Sequence, residues 1–446
     1  MKTLKRKLSD FLEQAWKALN DRLSPGQSIA LGFLALILLG ALLLSLPFAY
    51  RPEATVRPLD ALFTSASAAC VTGLSVLDTG NTWTVFGKTV ILLLIQIGGL
   101  GVAVIGVCVT LLAGGGMRLK DRQMLKESWN ISSYGDVSGL LGRVLLITLA
   151  FELGGALLSW PVFAREFGPG KGLGFAVFHS VSAFNNAGFD ILGGTDSLIR
   201  FGDQVWLNLV TALLIIGGGL GYLAILDLLR FRKRRRLSLQ TKVVLTMTGI
   251  LLAGGTLLIR LAEPISWMGA FFQSVSARTA GFATWDLSRF HPGGLLVMCL
   301  LMFVGASPGS TGGGIKTTTI YALFLSARST ATGRPAQTFR RRVPEETVSK
   351  AFIVVLIGAA FLLLATLLLC LFEPGRDFMG LLFETVSACC TVGLSILPTP
   401  ELGTGARLVL IVCMFVGRLG PLTVATLWRF SAQSEWTYSK EGFTIG

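Results

Sequence analysis

The chain has 446 residues, 52% of them hydrophobic and only 14% charged, against roughly 25% charged in an ordinary soluble domain. That composition excludes a soluble globular enzyme and points to a membrane protein. The formal net charge of +14 does not indicate nucleic acid, because 26 of the 39 Lys and Arg lie in the N-terminus, three linkers and the tail, with 11 in segments on the opposite side.

The N-terminus (1–28) is polar and mostly basic, and it runs into a full-length apolar stretch rather than a short core with a cleavage site, so it reads as a retained cytoplasmic segment. About 20 helical residues cross the ~30 Å of bilayer hydrocarbon. By that measure the chain should cross eight times, at 29–48, 87–113, 144–163, 205–229, 243–262, 294–325, 351–372 and 406–428. The spans pair into repeats at 29–113, 144–229, 243–325 and 351–428. These are separated by linkers 114–143, 230–242 and 326–350 and followed by a tail, 429–446. An even number of spans and the basic linkers place both termini and all three linkers in the cytoplasm of a multi-pass plasma-membrane protein. The densest cluster, RFRKRRRLS (230–238), reads as a topology anchor, with membrane lipids or a partner as its other candidate contacts. Asn130-Ile-Ser132 is a glycosylation sequon by pattern only, since it falls on the cytoplasmic side. The seven cysteines form no C-x-x-C pair and read as small apolar fillers.

Inside each repeat sits a related passage: LFTSASAACVTGLSVLD (62–78), VFHSVSAFNNAGFDILG (177–193), FFQSVSARTAGFATWD (271–286) and LFETVSACCTVGLSIL (382–397). Each has a Phe, a Ser-Ala pair and a Gly followed by Leu or Phe. The third is one residue shorter between Ser276 and Gly281. Each passage is too short to cross and return as two full helices, so it predicts a short re-entrant helix followed by a loop at membrane depth. Such a loop must be buried in protein or line a watery cavity. Four loops around one axis would make a ring of backbone carbonyls able to replace the hydration shell of a monovalent cation. Their glycines, Gly73, Gly188, Gly281 and Gly393, would supply the positive φ needed to turn successive carbonyls inward. The candidate filter is therefore Val71, Thr72 and Gly73; Asn186, Ala187 and Gly188; Thr279, Ala280 and Gly281; and Thr391, Val392 and Gly393.

The second span of the third repeat is interrupted by GASPGSTGGGIKTTT (305–319). It is not a phosphate loop, because Ile315 separates Gly314 from Lys316 where a Lys should follow the last Gly directly. The eleven apolar residues before Gly305 give about 16 Å of helix, roughly half a bilayer. Pro308 and the glycines then favour a break, with Ser307, Ser310, Thr311 and Thr317 expected to satisfy freed backbone groups while the loop faces a water-filled cavity. QIGGLG (96–101), IGGGLGY (216–222) and VGRLGP (416–421) occupy the matching places in the other repeats.

On CVTGLS (70–75), NNAGFD (185–190), RTAGFA (278–283) and CTVGLS (390–395), the chain resembles the Ktr/Trk/HKT superfamily of potassium transporters over essentially its whole length, closest to the KtrB membrane-subunit branch. The resemblance implies an all-α membrane fold of four M1-pore-M2 repeats with pseudo-fourfold symmetry about a central pore. With glycine at all four filter positions it also implies K+ selectivity. It further implies a gate made of the intramembrane loop, at Gly305, Pro308, Gly309, Gly312, Gly313 and Gly314, together with Arg418 beneath the filter and Lys316 as helper. It implies a homodimer on a cytosolic RCK-type, KtrA-like ring that carries the ATP/ADP or NAD(H) site, with Na+ as activator and no cofactor in this chain.

Arg418 within an apolar span is costly; it either bars the pore or pairs with a buried carboxylate such as Glu384 or Glu152. Glu152 either pairs internally or serves a cation site, and His179, at the opening of a pore helix, reads as an interfacial packing residue. No catalytic triad, metal-ligand cluster or nucleotide fingerprint appears, so the chain is read as no enzyme. A phosphate-loop ATPase would need a second acidic motif. A cation-coupled secondary transporter using the broken helix as a substrate site is the alternative, although inverted repeats with midplane carboxylates are not what the parallel, neutral repeats show.

Overall fold

The computed structural model describes residues 23–112, 117, 119–129, 137–194 and 196–426. Most of the N-terminus, part of the first linker with its sequon, and the tail lie outside the described residues. The first unit holds α1 (Pro25–Leu44), α2 (Pro58–Ala69), the single turn α3 (Thr79–Thr82), α4 (Val85–Leu100) and α5 (Val102–Leu112), followed by α6 (Leu119–Trp129) in the linker. The second holds α7 (Val137–Phe167), α8 (Pro169–Phe184), α9 (Val205–Leu220) and α10 (Tyr222–Arg234). The third holds α11 (Leu239–Ala262), α12 (Trp267–Ser276), α13 (Pro292–Phe303) and α14 (Thr317–Thr332). A hairpin of β1 (Gln337–Thr338) and β2 (Arg341–Arg342) leads to the fourth: α15 (Glu345–Phe372), α16 (Phe378–Cys389), α17 (Thr404–Leu419) and α18 (Pro421–Thr426).

Helix starts follow their local signals. Ser24 caps α1 in a capping box with Gln27. The side chains of Ser238, Ser266 and Asp377 accept from the first turns of α11, α12 and α16. Proline opens α2 and α8, where its missing N–H costs nothing. Among the described residues four helices are long and apolar enough to cross a membrane, namely Pro25–Leu44, Gly139–Phe167, Leu239–Ala262 and Glu345–Phe372.

The second helices differ from the continuous spans expected at 87–113, 205–229 and 406–428. Each breaks at a glycine: Gly101, Gly221 and Gly420 have φ of +94°, +88° and +87°. The halves of the first two meet at 98° and 100°, and counting each bent pair as one span raises the crossings from four to six. The second helices of the third and fourth units are interrupted too, between α13 and α14 and, at Gly420, between α17 and α18. The break singled out in the third unit is thus common to all four, and the glycines that ended each run of helix were the signal for it.

In lipid, helices associate through close packing and interhelical hydrogen bonds rather than through burial from water. The short helices use both. Ser65 donates to Ile37 O of α1 at 2.7 Å, Ser180 to Glu152 O of α7 at 2.7 Å, and Ser274 to Leu252 O of α11 at 3.2 Å. In each case a glycine on the long helix, Gly40, Gly155 or Gly255, makes room for the serine. The fourth unit has Thr385 there, which bonds back to Leu381 O in its own helix. The shared Phe of the motif is buried in every unit, at Phe63, Phe178, Phe272 and Phe383.

The fourth unit closes onto the first through a buried ion pair. Arg407 of α17 reaches Asp60 of α2 at 2.5 Å and also donates to Leu402 O and Pro400 O. Removing one partner of such a pair strands the other charge and typically costs 3–5 kcal/mol. Arg407→Met is therefore expected to lower the thermal unfolding midpoint in detergent markedly, whereas Arg289→Ala, which loses only the exposed pair with Asp286, should leave it within about a degree or two.

Candidate functional site

The four repeated loops meet in one closed ring. A Cβ built on Gly73 would lie 2.5 Å from Ala187 O, one on Gly188 2.7 Å from Ala280 O, and one on Gly281 2.5 Å from Val392 O; one on Gly393 would collide with Thr72 O. Each glycine therefore faces the carbonyl preceding the next unit's glycine, and the sequence of contacts returns to its start. All four glycines have positive φ, between +68° and +98°. So do the residues two places earlier, Val71 (+57°), Asn186 (+59°), Thr279 (+72°) and Thr391 (+51°). This pattern, a left-handed residue, one outside the left-handed region, then a left-handed glycine, recurs in all four units. At Val71, Thr279 and Thr391 the non-glycine member was not legible in the sequence, because nothing in Val or Thr signals a positive φ; only Asn186 is of a type that favours one.

Hydrogen bonds to the ends of the short helices hold the strain. Thr72, Ala187 and Val392 donate N–H to Ser67 O, Ser182 O and Ser387 O, each at 2.8 Å. Gly73 and Gly393 donate to Ser67 Oγ and Ser387 Oγ at 3.0 Å. In the shorter third copy Ala280 N bonds Ser276 O, and Ser276 Oγ instead donates to Phe282 O at 2.5 Å, so the missing residue is absorbed at the helix end and the ring is undisturbed. The helices end four or five residues before the ring glycines, which brings their negative dipole ends close to it.

Behind the ring, the position after the shared Phe carries four different polar residues: Thr64, His179, Gln273 and Glu384, all buried. Glu384 accepts from Ile396 N at 3.1 Å and Leu397 N at 3.3 Å, and also from Ser395, so it ties down the outgoing strand of its own loop. His179 bonds Thr211 Oγ1 at 2.8 Å and packs edge-on to Phe163 and Phe282. It is a core residue at the middle of α8, ten residues after Pro169, rather than an interfacial residue opening the helix. Glu152 accepts from Asn185 Nδ2 at 3.0 Å, and the same amide donates to Gln96 Oε1 at 3.1 Å, an internal link between the first two units.

Below the ring lies the 305–317 loop, and here the expectation of a water-facing loop is corrected. Its residues are mostly buried in protein, and its freed backbone groups pair with the broken helix of the second unit. Ser307 N donates to Gly219 O at 3.0 Å, Thr311 N to Gly218 O at 3.2 Å, and Tyr222 N to Gly309 O at 2.9 Å. Thr311 Oγ1 donates to Phe184 O at 3.1 Å. Two helix breaks thus cap each other, supplying the partners that orphaned helix-end groups need. Gly305 N to Ile315 O at 2.9 Å closes the neck of the loop, and Lys316 Nζ donates to Gly312 O at 2.7 Å. The glycine tract presses against the ring: a Cβ on Gly312 would lie 3.2 Å from Thr279 Cβ, and one on Gly313 3.2 Å from Thr391 Cβ.

Arg418, at the end of α17, pins this arrangement. Its guanidinium donates to Thr311 O of the loop, to Gly98 O, and at 3.2 Å to Gly99 O, where α4 breaks. Pairing with Glu384 or Glu152 does not occur among the described residues, because both carboxylates are held by their own donors. Helix-end carbonyls carry partial negative charge, and they take the place of an acidic partner. Apart from the Gly-Gly pairs, no residue type marks these carbonyls as ligands. Arg418 thereby strings together the first, third and fourth units directly under the ring.

Above the ring a cavity of about 970 Å³ opens onto all four glycines. Among the described residues Asp78, Asp190, Asp196, Asp203, Glu263 and Asp286 line it, against one cation, Arg289. Burial pushes the Asp190 carboxyl up to about 6, with the Leu192 N–H and Arg200 opposing and the Asp78 and Asp196 charges adding to the rise. Asp190 is therefore protonated below about pH 6 and adds a negative charge to the mouth above it. If cations enter here, uptake should rise by about twofold or more as outside pH goes from 5 to 7.5. Asp190→Asn should flatten that rise at its lower level, as measured by tracer uptake into proteoliposomes.

A family model for TrkH, described as a cation transport protein, matches residues 11–263 and 239–438. Over 448 residues the chain is 36% identical to the potassium/sodium uptake protein NtpJ of Enterococcus hirae, covering 96% of this chain and 99% of the relative. It is 37% identical over 434 residues to the Ktr system potassium uptake protein B of Bacillus subtilis, covering 94% and 96%. The crystal structure of the potassium transporter TrkH from Vibrio parahaemolyticus superposes with a TM-score of 0.67 at 22% identity, covering 89% of this chain and 86% of that one, which is a likeness of fold.

Proposed function

This chain belongs to the TrkH family of cation transport proteins, which are transporters and not enzymes, and from that premise we propose that it is the potassium-translocating membrane subunit of a K+ uptake system. The observation that carries the reading is the closed ring of four glycines and four facing carbonyls. K+ gathers in the acidic outer cavity, exchanges its water for ring carbonyls, and is stopped below by the 305–317 loop and Arg418. The arrangement described is then the closed state. Opening requires Arg418 to release Thr311 O and the loop to part from Gly218, Gly219 and Tyr222.

The names of the relatives support a multi-component Ktr-type system. In this reading the chain forms a homodimer on a cytosolic nucleotide-binding ring, with both termini and the linkers on the cytoplasmic face of the plasma membrane. ATP/ADP or NAD(H) acts on that ring, and Na+ activates. The test is rubidium or potassium flux into liposomes holding the purified protein with Na+ as competitor. Uptake that prefers K+ or Rb+ supports the reading, and uptake that prefers Na+ overturns it.

A further inference from the structure

The second and third linkers, about a hundred residues apart in sequence, are brought together at one edge of the molecule. Lys242, in the first turn of α11, stands 5.6 Å from the ring centre of Phe339, at the tip of the β1–β2 hairpin. The tip residues Phe339 and Arg340 both have positive φ, +47° and +62°, and both side chains are exposed. Tied to the start of α11 through Asp227, which accepts from Ser238 N, α10 leaves α9 at 100°, so it runs across the spans rather than along them. Its far end exposes Leu229 at 67% and Phe231 at 45%, next to exposed Arg232 and Lys233, with Arg235 and Arg236 following.

The neighbouring acids are already engaged: Asp227 accepts from Ser238 N, Glu345 pairs with Arg342, and Glu346 with Lys350. Among the described residues no carboxylate lies within ion-pair distance of Arg232, Lys233, Arg340 or Arg341. A flat helix end with exposed large apolar side chains among unpaired cations, at the first turn of a spanning helix, matches a bilayer's charged headgroup layer above its acyl chains.

We propose that the end of α10 and the Phe339–Arg340–Arg341 tip together form a docking surface for anionic phospholipid headgroups of the cytoplasmic leaflet. The apolar side chains Leu229, Phe231 and Phe339 enter the acyl boundary, and the surrounding cations hold the phosphates. The surface rests on the orientation proposed above, but its test reads lipid retention and not ion flux, so either reading can fail while the other stands.

The protein is assembled into nanodiscs of phosphatidylcholine mixed with phosphatidylglycerol, and the lipids retained after mild delipidation are counted by native mass spectrometry. The parent should retain phosphatidylglycerol in preference. Arg340→Gln/Arg341→Gln should lower that preference by about fivefold for each arginine removed, and Phe339→Ala should weaken retention while Arg289→Gln on the opposite face leaves it unchanged. Absence of a preference in the parent, or an unchanged preference in the double variant, would overturn the proposal. A soluble polyglutamate peptide that bound the parent while phosphatidylglycerol was not preferred would reassign the surface to an acidic protein partner.

Discussion

Replacing Arg418 by alanine is expected to raise potassium flux through the isolated protein by on the order of a hundredfold. A fixed positive charge about 5 Å from an ion beneath the ring costs that ion about 3 kcal/mol at an effective dielectric of about 20. The guanidinium also ties Thr311 O of the loop to Gly98 O of the first unit, so its removal frees the loop as well as the field. Arg418→Lys separates the two effects: it keeps a charge but a single ammonium cannot reach both carbonyl groups as the planar fork does, so its flux should fall between parent and Arg418→Ala. Deleting 309–314 removes the tract beneath Thr279 and Thr391, together with Thr311 O, and should likewise leak. Proteoliposome flux at equal membrane abundance decides the matter. If Arg418→Ala and the deletion both conducted no more than the parent, the segment would not be the barrier.

Much of this architecture was open to reading from residues, and the parts that were not share a cause. The four passages around Gly73, Gly188, Gly281 and Gly393 repeat so plainly that a ring of four loops could be expected, and the glycines named in advance have the backbone angles that only glycine adopts freely. The left-handed Val71, Thr279 and Thr391 were hidden, because β-branched residues rarely take that conformation and the bonds that hold the loop there run to backbone carbonyls at the helix ends, which no residue type announces. The same holds below the ring. Pro308 and five glycines foretold a broken helix, yet which groups would satisfy it depended on Gly218, Gly219 and Tyr222, nearly a hundred residues earlier, breaking at the same depth. Arg418 was conspicuous as a charge in an apolar span. Its ligands, being backbone carbonyls, had no residue type by which to be recognised.

Gly281→Ser is expected to lose most of the discrimination between potassium and sodium, at least tenfold, and Gly73→Ser to do the same. At φ of +80° a side chain is already strained by about 1–2 kcal/mol, and the added Cβ would sit 2.5 Å from Val392 O, closer than real Cβ atoms approach any oxygen. Either the carbonyl of the fourth unit or the backbone of the third must shift. Because each glycine abuts the carbonyl preceding the next, a displacement at one joint alters the spacing of at least two of the four carbonyls. A serine hydroxyl would also bring water to a place where an ion must shed it, and sodium, which holds its water more tightly, gains from that change. The ring explanation requires both variants to behave alike, since Gly73 and Gly281 lie in alternate units and make the same contact with Ala187 O and Val392 O. Relative uptake of rubidium and sodium, measured by competition in proteoliposomes, gives the comparison. Unchanged selectivity in both variants would mean that the ions do not pass through this ring. A change in Gly281→Ser alone would mean that the four loops do not contribute as equals, and that the shorter third copy, with Ser276 bonded to Phe282 O in place of the glycine N–H, sets the selectivity by itself.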